Sequence, residues 1–418
     1  MIVVGRYCGS ISMAAISATS QLVKLVTSLF IGFSVGVGVA VAHGLGGNRH
    51  ENVHRTVHTA LPIVLIAGTA MTVIGLILSK QSLIWLGTPE SLLSLSTLYL
   101  TIYFSGMIFT LLYNFCAAIL RAAGDTRSPL LYMCISGVLN VVLNVVFIIV
   151  FHMNVAGVAL ATVISQGVSA ALVVIALVRR KDACRLQFKK IRIYKEPLCK
   201  IIRIGLPSGI QGALFSISNL LIHSSINSFD NATIITGHGA ASDIDGFLYA
   251  AMSGFYQTTV NFVGQNLGAR QFRRIKRVVL QCLICVLVIG GVGGLAIYMF
   301  GEQLLSLYIV DSEEAIFYGL LRMVYITMPY FLCGLSDVCT GALRGLGAST
   351  LSMCISLLGI CGTRILWIYT VFRMPAYHTM EGLYLSYPVS WVITFGCQFV
   401  AYSIIFKKIR CRYFDQTC

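Results

Sequence analysis

Charge is scarce in this chain. Asp, Glu, Lys and Arg make up 11% of 418 residues, less than half of the roughly 25% carried by a soluble domain. A water-facing surface cannot be built from so little charge, and the mean hydropathy of +0.84 excludes an ordinary soluble enzyme and a disordered chain. Zinc-type CxxC…CxxC spacing is absent. Most of the 14 Cys lie inside apolar runs, among them Cys116, Cys134, Cys282, Cys285, Cys354 and Cys361, where they behave as small hydrophobes rather than as a disulfide framework or metal ligands. No GxxxxGK[ST] loop appears, so no ATP site is expected. HExxH, GxSxG and paired intramembrane acids are missing too, which argues against an intramembrane enzyme, and no pore-loop signature interrupts the apolar runs. Residues 1–18 are too mixed for a secretory signal. Alternating strands of about 10 residues, the mark of a membrane barrel, are not seen.

What is present is apolar length. Hydrophobic residues make up 57% of the chain, with 39 Gly, a residue enriched in membrane helices. Eleven runs are long enough to cross a bilayer: 19–43, 57–78, 92–116, 130–151, 155–178, 203–225, 238–265, 276–299, 317–345, 350–371 and 385–407. Backbone groups inside lipid must be satisfied within the segment, so the fold class is all-α, a polytopic membrane helix bundle.

The formal charge of +15 suggests nucleic acid at first sight, but its distribution says otherwise. The loops after alternate runs, with the C-terminal tail, hold 24 of the 30 basic residues, ten of them between Arg179 and Arg203. The opposite loops hold Arg6, Lys80 and Arg373 and are acidic instead, with Glu302, Asp311, Glu313 and Glu314. That asymmetry places the basic loops and the C-terminus in the cytoplasm. No nucleic-acid partner is expected.

The two halves repeat. Gly32-Phe33, Leu45-Gly46, Arg55 and Val57 recur 222 positions on as Gly254-Phe255, Leu267-Gly268, Arg277 and Val279. Cys116, Leu120-Arg121 and Gly124 recur 223 positions on as Cys339, Leu343-Arg344 and Gly347. Met133–Ser136 recurs as Met353–Ser356, and Gly157, Leu160 and Ser165 recur as Gly382, Leu385 and Ser390. Both copies of the Arg55 loop are basic, so the repeats share one orientation, related by an axis along the membrane normal. The expected organisation is an N-terminal lobe over 1–178, a basic linker over 179–202, a C-terminal lobe over 203–407 and a tail over 408–418. The second half has six runs and the first five. Projecting 203–225 back by 222 ends near Met1, so a twelve-span parent lacking its first helix here is expected.

Several blocks resemble one family. Ile2–Gly9 with Met13-Ala14-Ala15, Ala118–Thr126 (containing Arg121, Gly124 and Asp125), and Gly205-Leu206-Pro207-Ser208-Gly209 are similar to blocks of the MATE transporters, bacterial branch. So are Val263–Ala269 (Gly264, Gln265, Gly268), Leu343–Gly347 (Arg344, Gly347) and Tyr387–Trp391 (Pro388). The resemblance covers the chain in order. It implies a monomeric secondary antiporter in the inner membrane, exporting small organic cations or drugs in exchange for Na⁺ or H⁺ by alternating access between two lobes, without a cofactor and in contact with membrane lipid. The competing readings are a flippase for lipid-linked oligosaccharides and an inactive, truncated transporter.

Ionisable groups inside spans are costly and are functional candidates. Asp337 lies roughly 12 Å deep, at about 1.5 Å per residue. It is expected to bind a proton or cation, or to pair with Arg344. Asn140 and Asn144 share a helix face and, with Thr162, resemble the family's N-lobe cation site, although an amide cannot carry a proton. Arg364 sits at the repeat position of Asn144 and is expected to hold Asp337, a substrate acid or a packing role. Asp243 and Asp245 are expected at the outer start of a helix, at a cavity mouth or simply solvated. Lys24 and Arg322 are expected to snorkel. Tyr256, Phe262 and Tyr325 could stack on a flat cation. His43, His50, His54 and His58 are expected to line a solvated helix face rather than a metal site.

Overall fold

A computed structural model describes residues 9–309 and 312–415, apart from Ser228 and Asp230. All regular structure among them is helical. The chain forms two compact units, residues 1–212 and 213–418.

Unit 1 contains α1 (Gly9–Gly46), α2 (His50–Trp85), α3 (Glu90–Ser105), α4 (Met107–Ala122), α5 (Arg127–Val145), α6 (Asn154–Arg179) and the start of α7 (Lys195–Asn227). Its core gathers Phe30, Val41, Val57, Leu111, Phe115, Leu120 and Leu177. Unit 2 holds the rest of α7, then α8 (Ala232–Gly268), α9 (Phe272–Met299), α10 (Gly301–Ser306), α11 (Glu313–Arg322), α12 (Phe331–Gly345), α13 (Ser349–Ser356), α14 (Thr363–Tyr369), α15 (Met380–Tyr384) and α16 (Ser386–Asp415). There α8 packs against α9, α11 and α12, and α12 against α16.

All eleven predicted runs are helical. Among the described residues eight helices are long and apolar enough to cross a membrane, nine if the bent pair α3–α4 counts as one. The helices α7 and α8 are not among them, and α8 carries His238, Asp243 and Asp245.

The repeat read from sequence extends to the backbone. The bent pair turns by 45° at Gly106, and 223 positions on Pro329 takes non-helical angles between α11 and α12. Two helix ends also match. Arg49 N–H donates to Gly44 O and Gln271 N–H to Asn266 O, with Asn48 (φ 51°) and Arg270 (φ 57°) in the left-handed region, again 222 apart. Asp125 N–H donates to Leu120 O, and Ala348 N–H to Leu343 O, across Gly124 (φ 87°) and Gly347 (φ 84°). These six-to-one bonds are Schellman caps, which satisfy the last carbonyls of a helix and demand a left-handed residue. That demand explains the glycine in both Leu-Arg-x-x-Gly blocks. A Cβ built on Gly124 meets nothing within 4 Å, so Gly124→Ala is expected to cost only the backbone penalty, about 1–2 kcal/mol. Unfolding of the purified variant measures it, and a loss below 0.3 kcal/mol, on the order of measurement error, would contradict the cap.

Glycines also set one close helix crossing. A Cβ on Gly36 of α1 would stand 2.7 Å from Gly205 N of α7, and one on Gly212 would stand 2.9 Å from Ser28 O. Gly32 and Gly36 face Gly205 and Gly209, four residues apart on each helix, the small-residue spacing that lets membrane helices meet backbone to backbone.

The basic connection between α6 and α7 is fastened to unit 1. His58 Nε2 accepts the Gln187 amide (3.0 Å) and Thr59 Oγ1 accepts the Tyr194 amide (3.1 Å). His58 is fully buried and stacks on His54. The expectation of a solvated histidine face therefore fails at His58, because the linker covers it. Beside it, Arg180 Nε donates to both oxygens of Asp182, at 3.0 and 2.9 Å. The same guanidinium lies 3.8 Å from Asp125 and holds the Asp182 carboxyl below the usual carboxylate range.

Candidate functional site

Polar groups gather inside each unit. In unit 1 the three expected residues meet between α5 and α6. Asn144 Nδ2 donates to Asn140 Oδ1 (3.0 Å), and Asn140 Nδ2 donates to Thr162 Oγ1 (3.4 Å) and Ser165 Oγ (3.3 Å). One helical turn separates the two amides, so a single face of α5 presents both. Asn144 Oδ1 is enclosed without a hydrogen-bond donor. A π-helical turn over Val146–Val150 follows at once. Such bulges shift side-chain direction by one residue and recur at functional sites.

Unit 2 is more highly charged. Asp245 is 4% exposed and Arg322 5%. Arg322 donates to one carboxylate oxygen of Asp245, and Thr327 Oγ1 donates to the other. Two readings are corrected here: Asp245 is not solvated at a helix start, and Arg322 does not snorkel. The packing of α8 against α11 buries the two together, and a π turn over Met323–Thr327 brings the threonine to the acid. Asp243, two residues away, is exposed, as is Lys24. His238, 3% exposed, forms a second buried polar contact in the unit, with Nδ1 at 3.1 Å from Tyr384 Oη and its ring against His223.

Asp337 lies on α12, half-buried. Among the described residues no basic group is within ion-pairing distance of it. Arg344, its expected partner, instead donates to Tyr256 Oη and lies over that ring at 5.4 Å. The Arg344 charge still reaches Asp337, and Tyr249, Tyr330 and Cys333 stand within reach of the Asp337 carboxylate.

Arg364 opens α14 just after a π turn over Leu357–Gly362. Its Nε donates to Ser390 Oγ (3.2 Å) and its Nη1 to Asn219 Oδ1 (3.4 Å). The hydroxyl that accepts from Arg364 is the repeat partner of Ser165, which accepts from Asn140. Each unit thus spans the same helix pair with a polar bridge, uncharged in the first and cationic in the second.

The family blocks have structural jobs. Gly124, Gly347 and Gly268 lie at helix ends, and Ala269 N–H caps onto Gln265 O. Asp125 Oδ1 accepts the Ser128 amide (3.0 Å), Pro207 sits inside α7, and Pro388 lies in the first turn of α16. Arg121 ends α4, and Gly264 lies near the end of α8. Residues 2–8 of the first block, and Asp311 of the acidic loop, lie outside the described residues. Sequence reasoning missed the Arg322–Thr327 pairing to Asp245 and the His238–Tyr384 contact. Only the acid and the guanidinium were visible as intramembrane charges.

This bundle of duplicated helices, with polar centres buried inside each unit, is the fold of a polytopic membrane protein. The chain matches the MatE family model over residues 1–146 and 207–370, and it belongs to that family, the MATE transporters. It is 28% identical over 421 residues to the probable multidrug resistance protein YoeA of Bacillus subtilis, covering 98% of this chain and 89% of that protein. It is 23% identical to the multidrug export protein MepA of Staphylococcus saprophyticus, over 94% of this chain and 85% of that protein. The fold is similar to that of a multidrug resistance MATE family transporter in an outward-facing conformation, with a TM-score of 0.89 at 19% identity, over 98% of this chain and 92% of that one.

Proposed function

We propose that this protein is a monomeric multidrug efflux antiporter of the inner membrane, with a cytoplasmic C-terminus. It exports small organic cations and drugs in exchange for Na⁺ or H⁺ by alternating access of a lobe over 1–178 and a lobe over 203–407, joined by the basic linker 179–202. The observation that carries the reading is Asp337, an acid on an apolar-type helix with no ion-pair partner among the described residues and with tyrosines near its carboxylate. A carboxylate left without a counter-ion in a low-dielectric interior favours a proton, Na⁺ or an organic cation as its partner, and tyrosine faces suit a flat cation. In unit 1, the enclosed Asn144 Oδ1 and the Thr162 hydroxyl supply neutral oxygens of the kind that bind Na⁺.

Expression in a pump-deficient bacterium is expected to raise resistance to ethidium. In everted vesicles, dye uptake should stop either on removal of Na⁺ or on addition of a protonophore, and which treatment stops it names the coupling ion. Transport that continues under both treatments would exclude antiport.

A further inference from the structure

Unit 2 encloses three guanidinium groups, and two have a nearby acid. Arg322 pairs with Asp245, and the charge of Arg344 acts on Asp337. Arg364, 5% exposed, has no carboxylate within 4.0 Å among the described residues. A guanidinium carries five N–H donors, and the two bonds of Arg364, to Ser390 and Asn219, are both longer than 3.1 Å. Nη2 makes no hydrogen bond among the described residues, yet it is not one of the enclosed unsatisfied atoms. The face of the guanidinium lies 4.0 Å over the Tyr387 ring and 6.0 Å from that of Trp391, and these two rings meet edge to face at 5.8 Å. Burying a cation without its counter-charge is costly, and the equivalent position in the first unit is the neutral Asn144. The charge is therefore an addition peculiar to the second unit.

We propose that Arg364 and Tyr387 form an oxyanion subsite that takes the carboxylate or phosphate of a planar aromatic substrate. The free edge of the guanidinium pairs with the oxygens in its fork geometry, and the partly exposed Tyr387 ring, backed by the buried Trp391, offers stacking surface for the aromatic body. The proposal deepens the transport reading by naming a substrate class, and its test reads binding rather than transport.

The test is calorimetry on the purified full chain in lipid nanodiscs with three probes: 2-naphthoate, 2-naphthyl phosphate and the charge-inverted 2-naphthylmethylammonium. The wild type is expected to bind at least one anion, and which anion it binds separates a carboxylate from a phosphate source. Arg364→Gln should weaken anion binding about 10- to 100-fold, the value of a charge-assisted hydrogen bond, and leave binding of the ammonium probe within about twofold, inside the factor by which such values vary with context. Arg364→Lys should fall between, keeping charge but losing the fork. Tyr387→Leu should weaken anion binding about fivefold by removing the stacking face. If Arg364→Gln does not fold, the lysine and Tyr387→Leu variants decide. Absence of anion binding by the wild type, or unchanged anion affinity in the folded variants, would overturn the subsite. Anion binding by a protein that exports no dye would keep the subsite and remove the transport reading.

Discussion

Asp337→Asn is expected to bring dye export down to the level of cells without the protein, a loss of at least about tenfold, while the amount of protein in the membrane stays unchanged. The amide keeps the shape of the acid but cannot take up and release a proton, and it offers a cation a neutral oxygen where the acid offers a charge. Nothing in the surroundings supplies a substitute. The neighbouring Arg344 is a cation bound to Tyr256, Tyr249 and Tyr330 carry no charge of their own, and Asp245 is committed to Arg322 and Thr327. Among the described residues Asp337 thus has no ion-pair partner, while Asp245 has one. Asp337→Glu, with the charge retained on a longer stem, should keep part of the activity. Efflux by Asp337→Asn at the wild-type rate would remove this residue from the mechanism and would move the search to the Asn140–Asn144–Thr162 cluster of unit 1.

The largest loss of stability is expected at Arg322. Changing it to Met leaves Asp245 enclosed with one hydroxyl donor, Thr327, and strands a buried charge, which costs about 3–5 kcal/mol. Replacing both partners, Asp245→Leu with Arg322→Met, removes both desolvation penalties together and is expected to recover most of that loss. Thermal unfolding of the four proteins in the same detergent gives the coupling as a double-mutant cycle. A single variant as stable as the wild type would show that the pair carries no net interaction. The double variant should still be tested for transport, because the charge of Arg322 acts on His238, which is itself bonded to Tyr384.

The limits of the sequence follow from chain separation. Asn140 and Asn144 were legible because i and i+4 on a helix share a face by geometry alone. The duplication was legible because matched blocks keep their order and spacing, and the caps at Asn48 and Arg270 follow the same 222-residue offset. Asp245 and Arg322 are 77 residues apart. Read singly from the sequence, each was expected near a helix end, where water is the usual partner, and only the packing of two helices brings them into contact. His58 was misplaced for a similar reason. Its helical row reads as solvated until the linker, 129 residues on, lays a backbone amide on its ring.

By itself the sequence determined that this protein lives in a membrane, that it is built from helices, that its halves descend from one unit, and to which family it belongs. These properties are written in composition, period and order, which do not depend on long-range contacts. Only the tertiary structure decided the state of each interior charge among the described residues: Asp245 neutralised, Asp337 without an ion-pair partner, and Arg364 held by neutral groups with an edge to spare. The energy of a charge in a low-dielectric interior depends on its neighbours within a few ångströms, and folding, not sequence adjacency, chooses those neighbours.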